Sequence, residues 1–143
     1  MTHSDNTLTL ISKVHKGLDN LLVAELKQSG ITGIVPSHGA ILAALFGGRS
    51  LSMNELAAKI GKTPQTVTTL VDKLESKGYI KSWKSQQDKR TTMVALTEEG
   101  EALEPVFSLI SHKLFEVQYQ GLTQEEIEEL RRILSIMAAN VSR

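Results

Sequence analysis

The chain of 143 residues contains no cysteine. That absence excludes a disulfide framework, a thiolate metal site and a thiol redox switch. No apolar run approaches the ~20 residues of a membrane-spanning helix. The first residues, Met1-Thr2-His3-Ser4-Asp5, lack the charged-then-apolar order of a secretion signal. These features predict a soluble, cytoplasmic protein with no membrane partner, and at this length one domain with a real core. There is no internal repeat and no low-complexity tract. Catalytic spacings are missing too. The four histidines, His3, His15, His38 and His112, include no H-x-x-x-H or H-x-x-E-H pair. Nor is there a G-x-S-x-G, a P-loop or a G-x-G-x-x-G. Gly47-Gly48 reads as a turn after a helix rather than a phosphate cradle. No nucleophile–base pair can be named, so neither an enzyme nor a metal or other cofactor is expected.

Net charge is also missing, since sixteen basic residues balance sixteen acidic ones. Their distribution is uneven. From Lys59 to Arg90 eight basic residues face three acids, whereas from Thr97 onward nine acids face four basic residues. A chain polarised in this way can bind a polyanion with one region and keep the other off it.

The basic region, Ser52 to Arg90, is the best-patterned part of the chain. Ser52-Met53-Asn54-Glu55 has capping-box spacing, Leu56, Ala57 and Ile60 share a helical face, and Gly61 stops that helix. Thr63 and Pro64 then supply an N-cap and an N1 proline. Val67, Leu70, Val71 and Leu74 form one apolar stripe, and Gly78 closes the second helix as a C′ glycine. On the opposite arc lie Gln65, Thr68, Thr69, Asp72, Lys73 and Ser76, mostly short polar side chains with lysines around them. A helix entering a DNA major groove needs such a surface: side chains small enough for close approach, able to donate and accept, and pinned by phosphate contacts. Two short runs follow, 79–84 and 91–96, rich in β-branched and aromatic residues and flanking a polar turn. Thr92, Val94 and Leu96 alternate to one side as in a half-buried strand. The tip is assigned Lys84, Asp88, Lys89 and Arg90. Such a basic hairpin is a wing that lays Arg90 into a minor groove, with Asp88 holding the guanidinium. Trp83 is read as packing under the wing, with stacking on a base as the other option.

These residues resemble the MarR family of winged helix-turn-helix regulators. The likeness is carried by Leu56-Ala57-x-x-Ile60-Gly61, by Thr63-Pro64-Gln65-Thr66-Val67-Thr68-x-Leu70-Val71-Asp72-x-Leu74-Glu75-x-x-Gly78-Tyr79-Ile80, by Asp88-x-Arg90-Thr91 and by Val94-x-Leu96-Thr97-x-x-Gly100. The wing lacks the proline and second arginine common there and has Lys84 and Lys89 instead, which implies weaker minor-groove contact. The resemblance implies a mainly α fold with a small β wing. In it a winged helix-turn-helix over 36–97 carries a recognition helix at 63–78 and a wing at 79–96. It is flanked by dimerisation helices at 7–30 and 101–143, all within a single domain over 1–143.

The flanking segments fit this layout. Leu8, Ile11, Val14, Leu18, Leu21, Leu22 and Leu26 give a wide apolar stripe on a first helix ended by Gly30. Pro36 opens a second helix through Phe46, and Leu51 is placed in a short strand pairing with the wing to make a three-stranded sheet. Thr97 caps a helix with Leu103, Val106, Phe107, Ile110, Leu114 and Val117 on one face, which Pro105 should bend. Thr123 to Glu126 is a second capping box, before a last helix with Ile127, Leu130, Ile133, Leu134, Met137 and Val141. The end helices either cap the core or form a two-fold homodimer. The second reading agrees with the resemblance and lets two recognition helices read half-sites ~34 Å apart.

The expected function is sequence-specific binding of double-stranded DNA at a pseudo-palindromic operator, as a repressor released by a small-molecule effector. Thr63, Gln65, Thr66, Thr68, Thr69 and Lys73 are expected in the major groove, Lys62, Lys77, Lys84 and Lys89 at phosphates, and Arg90, braced by Asp88, in the minor groove. The resemblance further implies a small aromatic or anionic effector in a cleft bordered by His15, Ser37 and His38. Otherwise the two histidines are structural. A winged-helix module that binds protein instead of DNA is the alternative.

Overall fold

The computed structural model describes residues 4–142. Met1 to His3 and Arg143, the outermost residues of the expected domain, lie outside the described residues. In chain order the elements are α1 (Thr7–Gln28), α2 (Pro36–Leu45), β1 (Ser50–Ser52), α3 (Met53–Ile60), α4 (Pro64–Ser76), β2 (Ile80–Lys84), β3 (Thr92–Leu96), α5 (Glu98–Glu101), α6 (Glu104–Gln118) and α7 (Gln124–Val141).

The centre of the fold is built as its local chemistry requires. At the start of α3, Ser52 Oγ accepts from Glu55 N at 3.0 Å, while Glu55 Oε1 accepts from Ser52 N at 2.8 Å. Two of the otherwise unpaired donors of that helix end are thereby satisfied. Gly61 ends α3 in the left-handed conformation. Thr63 Oγ1 caps α4 by accepting from Thr66 N, and Pro64 occupies its first turn. At the other end, Gly78 N donates to Glu75 O and Tyr79 N to Leu74 O, the paired bonds of a Schellman motif. This motif needs the positive φ of +85° found at Gly78.

The three strands form one antiparallel sheet in the order β1-β3-β2, with Leu51 opposite Val94 and Ser82 opposite Val94 on the other side. The small third strand at Leu51 is therefore present. Leu42, Leu45, Leu56, Val67, Val71, Leu74 and Val94 are completely or almost completely buried where α2, α3 and α4 close on this sheet. α2 is apolar nearly all round and lies in the middle of the core.

The segment after Thr97 departs from the single bent helix expected. α5 stops at Glu101, a turn follows, and α6 begins at Glu104 with Pro105 in its first turn. Proline has no N–H to donate to the preceding turn, and its ring clashes with the carbonyl four residues back. It therefore starts a new helix here instead of kinking an old one. α6 lies along α1, and Lys113 Nζ bonds both oxygens of the buried Glu25 carboxylate across that crossing. α7 packs only lightly on its own chain. Ile127 is its one buried residue among those described, and Leu130, Ile133 and Leu134 stay about 40% exposed, at 38%, 42% and 39%. No helix among the described residues is long and apolar enough to cross a membrane.

Candidate nucleic-acid interface

α4 turns Val67, Val71 and Leu74 inward. Lys62, Thr63, Gln65, Thr66, Thr68, Thr69, Asp72, Lys73 and Ser76 are all exposed. Hydrogen bonding sorts the hydroxyls on this face. Thr63 Oγ1 donates to Thr66 Oγ1 at 2.9 Å, Thr68 Oγ1 to Pro64 O at 2.9 Å and Thr69 Oγ1 to Gln65 O at 3.3 Å. With those protons spent inside the helix, Thr68 and Thr69 offer lone pairs and methyl groups outward. Gln65 is the one amide on this face, able both to donate and to accept.

The lysines assigned to phosphates occupy different settings. Lys62 lies exposed in the turn between α3 and α4, and Lys89 is exposed at the wing tip. Lys84 belongs to β2 rather than to the tip. It stands opposite Thr92, and its Nζ donates to Thr92 Oγ1 at 2.8 Å. Lys77 is half-buried, its Nζ only 3.1 Å from where a Cβ on Gly33 would stand. Its stem therefore runs over the loop between α1 and α2, a packing that no periodicity within α4 announces.

The wing tip is held from within. Ser85 N donates to Thr91 O at 2.9 Å, and Ser85 Oγ accepts from Gln87 N and Asp88 N. Asp88 Oδ1 accepts from Arg90 N and from Arg90 Nε, both at 3.1 Å, and Oδ2 from Nη2 at 3.4 Å. The Arg90 guanidinium and backbone N–H together hold the Asp88 carboxyl below the usual aspartate range. Arg90 itself points into solvent, its side chain 92% exposed. Ser85 shapes the turn at the wing tip, a contribution that the reading of the sequence missed. Its S-x-x-D spacing before the tip was the available signal. Trp83 shares with Lys81 the sheet face opposite buried Ile80. It stands across from Met93 and remains 40% exposed.

An open cleft of about 680 Å³ separates α1 and α6 from the helix-turn-helix. His15 and Ser37 line it, together with Asp19, Lys62, Phe107 and Ser111. Its size lies within the ~300–1,000 Å³ of small-molecule sites. His38, expected beside them, is not among its walls. It is buried, and its Nδ1 accepts from Val35 N at 3.0 Å, capping α2 from the third helical position. The correction follows from helix phase: the position that reaches back to cap the first turn points inward here.

Burial, followed by the ammonium groups of Lys73 and Lys77, holds the His38 imidazole below the ordinary value of 6.5. The unfolded chain therefore takes up this proton first. Stability contributed by neutral His38 is complete above the unfolded value and is lost as pH falls toward the folded one. Between pH ~7.5 and ~5 the melting temperature of the protein should accordingly fall more steeply than that of a His38→Gln variant, which can accept the same bond without titrating. Parallel melting curves would show that His38 carries no such linkage.

Comparison with known proteins adds three kinds of finding. The family model described as MarR matches residues 34–92. The Bacillus subtilis strain 168 transcriptional repressor MdtR is 31% identical over 137 residues, covering 94% of this chain and 84% of the relative. Among solved structures, a DNA complex of S. aureus MepR superposes with a TM-score of 0.84 at 24% identity, covering 99% of each chain. Bordetella bronchiseptica BpsR, whose DNA binding is regulated by 6-hydroxynicotinic acid, gives 0.84 at 16% identity over 96% of each chain. At these identities the two structures are alike in fold.

Proposed function

The chain belongs to the MarR family of transcriptional regulators, and from that premise we propose that it represses transcription as a cytoplasmic homodimer bound to a pseudo-palindromic operator. The observation that supports this reading is that the polar face of α4 is exposed and that the exposed Arg90 of the wing is braced by Asp88. Gln65, Thr66, Thr68 and Thr69 meet base edges in the major groove, with Gln65 the best fitted to read adenine by a paired donor and acceptor. Thr63 and Lys73 border the same groove, and Lys62 and Lys89 take phosphates. Arg90 enters the minor groove in the orientation that Asp88 sets, and Lys77 and Lys84 lend charge from positions partly engaged by the protein itself. The relatives' names support regulation, and MdtR is named a repressor.

Selection of bound sites from random duplex DNA tests this reading. Recovery of a palindrome with half-sites about one helical turn apart is the expected result, and recovery of no sequence preference refutes it. On the selected duplex, Arg90→Ala should weaken binding more than about tenfold and flatten the salt dependence by about one unit for each wing engaged. An unchanged affinity across the salt series would remove Arg90 from the interface.

The cleft supports the second half of the proposal, release by a small aromatic or anionic effector. Its apolar walls suit a ring, and His15, Ser37 and Lys62 supply polar anchors. The case of BpsR, a fold neighbour controlled by a small aromatic acid, supports the same chemistry here.

A further inference from the structure

Lys62 occupies two places at once. Its backbone sits in the turn between α3 and α4, fixed by Lys62 N donating to Ala57 O at 3.1 Å, directly before the residue that caps α4. The same residue lines the cleft between α1, α6 and the helix-turn-helix. It is the only lysine or arginine among the described residues that does so, and its ammonium makes no hydrogen bond or ion pair with another described residue. Among the described residues the only carboxylate lining the cleft, Asp19, lies 3.4 Å from His15. One unpaired positive charge therefore stands on the rim that the cleft shares with the proposed DNA face.

We propose that Lys62 is a shared ligand, so that a monocarboxylate in the cleft and a DNA phosphate compete for its ammonium. This rests on the cleft being the effector site. The occupant is an anion carrying a small ring, the ring lying against Phe107 and Leu114 and the carboxylate reaching Lys62. Once the carboxylate holds the ammonium, one phosphate contact per protomer is lost without any movement of helices. Because the two bindings are linked through one group, DNA weakens the anion by the same factor as the anion weakens DNA. An effector acting by rearranging the two recognition helices would need no charge on Lys62.

The test uses the full chain, a duplex selected as above, and two probes of one shape at constant ionic strength: benzoate and its uncharged counterpart benzamide. Benzoate should weaken duplex binding by about two- to fivefold for each protomer, the worth of one exposed ion pair, and benzamide should not. Lys62→Gln should bind the duplex with a salt dependence flatter by about one unit per protomer and no longer respond to benzoate. Lys62→Arg, which keeps the charge, should keep the response. A Lys62→Gln protein that still releases DNA with benzoate by the original factor overturns the shared-ligand proposal and leaves the effector site standing. An equal effect of benzamide does the same. Failure of both probes to bind the free protein at high concentration, followed by calorimetry, counts against the effector site itself and the shared ligand with it.

Discussion

Gly100→Ala should destabilise the protein by about 3 kcal/mol or more, measured by denaturant unfolding. A Cβ at this position would stand 2.2 Å from Tyr79 O and 3.1 Å from both Tyr79 C and Leu96 Cδ2. The first of these is a backbone atom with nowhere to go. Tyr79 O already accepts from Thr97 N at 3.0 Å, and Thr97 Oγ1 donates to Gly78 O while accepting from Gly100 N. α5 is thus docked on the exit from α4, and the methyl group would force the two apart, breaking those bonds and shifting the C-terminal end of α4. Gly17→Ala is the control. Nothing lies within 4 Å of its Cβ in the middle of α1, so helix propensity alone should act and stabilise the protein by about 0.5–1 kcal/mol. Equal small effects of the two substitutions would mean that α5 does not sit against Tyr79.

The second large effect concerns association. In the single chain Leu130 and Ile133 of α7 are 38% and 42% exposed, and on α1 Leu8 and Val14 are 76% and 54% exposed. Apolar faces this extensive on both end helices are the mark of a surface meant to be covered. Leu130→Glu combined with Ile133→Glu leaves the core at α2 and α4 untouched, so the circular dichroism spectrum should not change. Sedimentation should shift from dimer to monomer. Operator affinity should fall by roughly a hundredfold or more, because the second half-site then no longer binds at the high effective concentration that linkage provides. A protein that remains dimeric would dismiss α7 as the interface, and a monomer that keeps full affinity would show that operator binding does not depend on linkage of two half-sites. This differs from the effect of Arg90→Ala, which should weaken each half-site while leaving the dimer intact.

The local signals in the chain were strong wherever one residue type serves one backbone need. Ser52 and Glu55, Thr63 and Pro64, Gly61 and Gly78 each announce a helix end, and each is found at that end. The alternation around Val94 and the apolar Leu51 were enough for the three-stranded sheet. The Asp88–Arg90 brace was legible because its partners are two residues apart. What failed to show was contact between distant parts. Lys77 over Gly33, Lys113 on Glu25 and Gly100 against Tyr79 join segments whose separation carries no period. The misplacement of His38 has the same origin, since a polar residue at a helix start reads equally well as a cap or as the wall of a cleft.

Taken alone, the sequence determined where most helices and strands begin and end, the break between α5 and α6 excepted, which faces are apolar, and that positive charge gathers between Lys59 and Arg90, because propensity, capping and periodicity act over a few neighbouring residues. Only the tertiary structure decided which polar side chains are free to meet a ligand. That depends on what packs beside each one: Lys62 is left unpaired on a cleft while Lys77 is laid along a loop and His38 is turned inward.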